Sequence, residues 1–76
     1  MSLNDSISRT ILFLRKEAGL SQEKLAERAG VHRTYISQLE RGIKSPTLPI
    51  LFKLAQGLNK KPSEIISLIE EATNGI

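Results

Sequence analysis

The sequence predicts an all-α fold, a compact domain of five short helices, and three observations predict it. Apolar residues recur at helical spacing through most of the 76 positions. Side chains suited to helix starts and stops punctuate the chain at short intervals. Gly30 separates two helical patterns by only a few residues, which forces a tight turn and a steep crossing. The length bounds the chain to one domain over 1–76, small enough that its core must be packed efficiently.

A first helix is expected over 5–18, where Ile7, Ile11, Leu14 and Ala18 share a face and Asn4 or Asp5 can cap the free amides. Leu12 and Phe13 widen that face enough for two neighbours. The second helix, 22–29, opens on Ser21 as cap, with Glu23 toward the positive end of the dipole. Leu25, Ala26 and Ala29 form its inner face, and the alanines let another helix come close. The third helix spans 33–41 and Gly42 ends it. The IKSPT loop follows, with Ile43 expected to tuck inward.

Thr47 caps a fourth helix over 48–57, which tolerates Pro49 in its first turn. Leu48, Leu51, Leu54, Ala55 and Leu58 are its expected buried face. Gly57 lowers helix propensity by about 1 kcal/mol relative to alanine, so that end either frays or packs tightly. Asn59 can take the left-handed conformation that stops it, and Pro62 suits the first position of a fifth helix over 62–72.

The third helix carries the functional signal. At about 100° per residue, Arg33, Thr34, Ser37, Gln38 and Arg41 fall on one arc, and Ile36 and Leu39 fall opposite. That arc holds two arginines, two hydroxyls and an amide but no carboxylate. Such groups can donate to base edges and phosphates. Charge agrees with this: residues 32–61 hold six basic side chains and one acidic, whereas 62–76 hold three acidic and none basic. A basic middle with an acidic end suits a protein that turns one face to a polyanion.

Other functions find little support. Cysteine is absent and His32 stands alone, so neither a thiolate metal site nor a histidine cluster can form, and His32 reads as a turn residue near the ligand. No paired carboxylates, activated nucleophile or phosphate-cradling glycine loop suggest an enzyme. No apolar run reaches the length of a membrane span, and the cytoplasm is the expected compartment. Ile50, Phe52, Ile65 and Ile69 exceed what a small core needs, which points to a homodimer interface.

Leu20-Ser21-Gln22-Glu23, Leu25-Ala26-Glu27, Gly30-Val31, Arg33-Thr34-Tyr35-Ile36-Ser37 and Leu39-Glu40-Arg41-Gly42 together resemble the helix-turn-helix family of phage lambda repressor and Cro. Within that family the chain looks most like the small controller proteins of restriction-modification systems. The resemblance implies a lambda repressor-like, sequence-specific transcriptional regulator that binds double-stranded DNA as a homodimer on a palindromic operator and takes no cofactor. It places Arg33, Thr34, Ser37 and Gln38 at bases in the major groove. It places Gln22, Tyr35, Arg41 and Lys44 at phosphates, with Gln22 also buttressing the third helix. RNA polymerase is a further partner the family admits. Glu40 then has two open roles, a polymerase contact or a pair with Arg41 or Lys44. Asn59-Lys60-Lys61 departs from the family's more usual glycine-containing, less basic turn. An antitoxin or protein-interaction adaptor built on the same helices is the alternative reading.

Overall fold

The computed structural model describes residues 2–73, and these form five helices. They are α1 (Leu3–Glu17), α2 (Gln22–Ala29), α3 (Arg33–Glu40), α4 (Leu48–Leu58) and α5 (Pro62–Ala72). α3 packs between α1 and α2, α4 lies along α2, and α5 closes the bundle against α1 and α4. One core runs through all five, with Ile11, Leu25, Ile36, Leu39, Leu54 and Ile65 sealed at its centre.

Local chemistry sets the helix ends. Ser21 accepts from the Lys24 amide, Thr47 from the Ile50 amide, and Asn59 ends α4 at φ 57°. Gly30 sits at φ 71°, a conformation that costs little only without a Cβ, and it allows α2 to stop and α3 to begin within three residues. At α5, Glu64 reaches back to the Lys61 amide at 2.8 Å. Gly57 serves a different purpose. A Cβ there would lie 3.1 Å from both the Ala29 backbone nitrogen and the Leu25 Cδ1, so α4 meets α2 backbone to backbone. This end of α4 is packed tightly and buried.

Several expectations need correction. α1 begins at Leu3 because Ser2, rather than Asn4 or Asp5, accepts from the Asp5 amide at 3.1 Å. Asn4 is instead turned across the molecule to the Gly42 carbonyl. Ile43 faces solvent, since Gly42 reverses the chain before it can reach the core, and Leu48 at the start of α4 is likewise exposed. The correction with most bearing on function concerns α5. Ile65 and Ile69 are buried within the monomer, because α5 docks on α1 along the line that joins them, so neither lies on an outer face.

Candidate nucleic-acid interface

α3 is seated by its inner face and presents its outer one to solvent. Ile36 and Leu39 are sealed in the core, while Arg33 and Thr34 are exposed and Ser37 and Gln38 half-exposed. The N-terminus of α3 is set by His32, whose Nδ1 accepts from the Thr34 amide at 3.1 Å. His32 therefore acts as a helix cap, satisfying one of the amides that a helix start leaves unpaired. Gln22, Arg33, Thr34 and Ser37 together line a shallow cleft of about 160 Å³ between the start of α2 and the outer face of α3. Four residues separated by up to 15 positions in the chain are thus presented as one surface. Gln38 lies on α3 outside that cleft, and Tyr35 is half-buried against the core edge. Arg41 and Lys44 are exposed on the segment that follows α3.

A polar network behind the cleft holds it in shape. Arg15 of α1 donates from Nε to Glu40 Oε2 at 2.6 Å and from Nη2 to Glu40 Oε1 at 3.0 Å, a two-pronged pair. Its Nη1 donates to the Leu20 carbonyl at 2.8 Å, and Gln22 Nε2 donates to Glu40 Oε1 at 2.9 Å. The arginine and glutamate side chains retain only 12% and 5% of their exposure, so this pair is removed from water. The hydrogen bonding that Arg15 donates to the Glu40 carboxylate is the main reason the Arg15 pKa rises above the ordinary guanidinium value. Burial opposes that rise and the Coulomb attraction of Glu40 adds to it. The guanidinium is therefore locked in its charged form.

This network corrects the expectation for Glu40. It neither pairs with Arg41 or Lys44 nor stands available to another protein, because its carboxylate is consumed by Arg15 and Gln22. Two consequences follow for the cleft. The one acidic residue of α3 is neutralised and turned inward, leaving the outer face without a negative charge. One of the two N–H groups of the Gln22 amide is committed to Glu40, which fixes how the other is presented at the cleft wall. The sequence alone does not reveal Arg15 as part of the site. It lies beside the apolar stripe of α1, 25 residues from Glu40, and no local pattern signals a pairing at that distance.

Comparisons with known proteins agree with this geometry. The family pattern described as helix-turn-helix matches residues 11–65. The uncharacterized HTH-type transcriptional regulator y4dJ of Sinorhizobium fredii is 35% identical over 75 residues, 99% of this chain and 97% of the relative. The control protein C.SmaI of Serratia marcescens is 36% identical over 67 residues, 88% of this chain and 80% of its own. Among solved structures, the restriction-modification controller protein C.Esp1396I superposes with a TM-score of 0.88 at 28% identity, covering 97% of both chains. With α2 and α3 crossing at Gly30 and the match extending into the first turn of α5, the chain belongs to the helix-turn-helix family.

Proposed function

We propose that this protein is a sequence-specific transcriptional regulator that binds double-stranded DNA as a homodimer, with α3 entering the major groove of each half of a (pseudo)palindromic operator. The observation that carries the proposal is the cleft in which Gln22, Arg33, Thr34 and Ser37 meet on a face without free carboxylates. Arg33 is suited to guanine, whose O6 and N7 accept its two parallel N–H groups. Thr34, Ser37 and Gln38 complete the base-reading set. Gln22, Tyr35, Arg41 and Lys44 meet phosphates and fix the helix in register, the usual division of labour at such an interface.

The homodimer rests on the outer face of α4. Leu48 and Phe52 stand one helical turn apart and are 61% and 55% exposed, with Ile50 at the edge of the core. Two recognition helices about 34 Å apart in such a dimer would read matching half-sites one turn of duplex apart. The likeness to control proteins supports a role as controller of a restriction-modification system, acting in the cytoplasm.

The test is an unbiased selection from random duplexes. The protein is expected to enrich a palindromic site, and Arg33→Ala to lose about 1–3 kcal/mol of discrimination at one base position per half-site while keeping its circular-dichroism spectrum and melting temperature. A selection that enriches no sequence would falsify specific recognition.

A further inference from the structure

The segment from Gly42 to Ser45 carries Lys44 and directly follows Arg41, two cations assigned above to the DNA backbone. Its near end is tied to α3, since the Ile43 and Lys44 amides both donate to the Gln38 carbonyl, at 3.0 and 3.4 Å. Gly42, at φ 74°, makes that reversal possible. Those bonds alone would leave the far end of the segment to swing about the end of α3.

Asn4 reaches this segment from 38 residues away. Its Nδ2 donates to the Gly42 carbonyl at 2.7 Å, and its Oδ1 accepts from the Ser45 hydroxyl. One carboxamide therefore grips the segment at both ends, using its donor for one and its acceptor for the other. A carboxylate of the same shape would lack the donor, and an apolar side chain would lack both. The grip is itself anchored. Asn4 lies in the first turn of α1, which is held by the Ser2 cap and by the Ser6 hydroxyl donating to the Ser2 carbonyl at 3.1 Å. Ser8, one turn further along α1, brings its hydroxyl to 3.9 Å from where a Gly42 Cβ would stand, so α1 flanks the segment beyond the single residue.

We infer that Asn4 is a positioning residue for DNA binding: it clamps the α3–α4 segment so that Arg41 and Lys44 meet phosphates in fixed register with the bases read by α3. This rests on the DNA-binding reading proposed above. Asn4 itself does not touch DNA in this scheme. It removes motion that binding would otherwise have to arrest, which strengthens the grip on the backbone without altering which bases are preferred.

The test compares wild type, Asn4→Ala and Ser45→Ala in two measurements. In free protein, Asn4→Ala is expected to speed amide exchange at residues 43–45 by about tenfold or more, with Ile36 and Leu39 unchanged. On a short random-sequence duplex across a salt series, the slope of log affinity against log salt should fall by about 0.9 for each phosphate that the variant no longer neutralises. The ratio of operator to random-duplex affinity should stay within about twofold of wild type. Ser45→Ala, which spares the Gly42 bond, should show a smaller change of the same kind and serves if Asn4→Ala does not fold. Unchanged exchange at 43–45, an unchanged salt slope, or a loss confined to operator discrimination would overturn the clamp. Wild-type protein that binds duplex without salt dependence would instead overturn the DNA-binding reading, while the exchange measurement still judges the clamp.

Discussion

α3 and α4 both bury an apolar inner face, Ile36 and Leu39 on one and Leu51, Leu54, Ala55 and Leu58 on the other, but their outer faces differ in kind. α3 turns arginine, hydroxyls and an amide to solvent, whereas α4 turns out Leu48 and Phe52. A hydrated, charged ligand meets the first face with groups that remain satisfied by water until it arrives. The second face gains only when apolar surface covers it, at roughly 25 cal/mol per Å² removed from water. The contrast is the one expected between the surface proposed for nucleic acid and the surface proposed for a second copy. The supports differ as well: α3 is braced by a buried ion pair, and α4 by close backbone packing at Gly57.

Breaking the brace behind α3 should have the largest effect. Glu40→Ala leaves the Arg15 guanidinium buried without its partner and is expected to cost about 3–5 kcal/mol in urea-induced unfolding. Replacing both partners, Arg15→Met with Glu40→Leu, should restore most of that stability. Duplex affinity should remain low in the double variant, because Gln22 has lost the carboxylate that orients it. Recovery of both properties together would show that the brace is purely structural.

The support of α4 is expected to rank second. Gly57→Val drives a branched side chain against the Ala29 backbone and Leu25, and overpacking of this kind costs about 1–3 kcal/mol, readable as a lower thermal midpoint. A thermal midpoint equal to wild type would mean that α4 can shift away from α2. The outer face of α4 should matter least to monomer stability. Phe52→Glu is expected to change unfolding free energy by no more than about 0.5 kcal/mol, yet to convert the proposed dimer to monomer in sedimentation at micromolar concentration. A variant that remains dimeric would move the interface away from α4.

Much of this architecture was legible in local chemistry. Gly30 predicted the abrupt turn, Thr47 and Asn59 the ends of α4, and Pro62 the start of α5, because caps act within one turn of the residues they satisfy. The opposition of Ile36 and Leu39 to the polar arc of α3 followed from helical periodicity alone. What escaped depends on where helices meet. Ile65 and Ile69 carry the same apolar pattern whether α5 docks on α1 or on another copy, so the pattern cannot choose between them. Ser2, Asn4 and Asp5 are all suitable caps, and the choice among them turns on Asn4 being drawn to a carbonyl 38 residues away. The Arg15–Glu40 pair was invisible for the same reason.

Neutralising the only acid of α3 on its inner side has a consequence for how such a protein changes over time. Arg33 and Thr34 lie outside the core, and the brace that seats their helix does not use their side chains. Under the proposed reading, new side chains at those positions would alter the sequence that is recognised while the fold is inherited unchanged. The proposed preference for a DNA site could then drift in a lineage whose scaffold stays constant, and a designer could rewrite it by the same route.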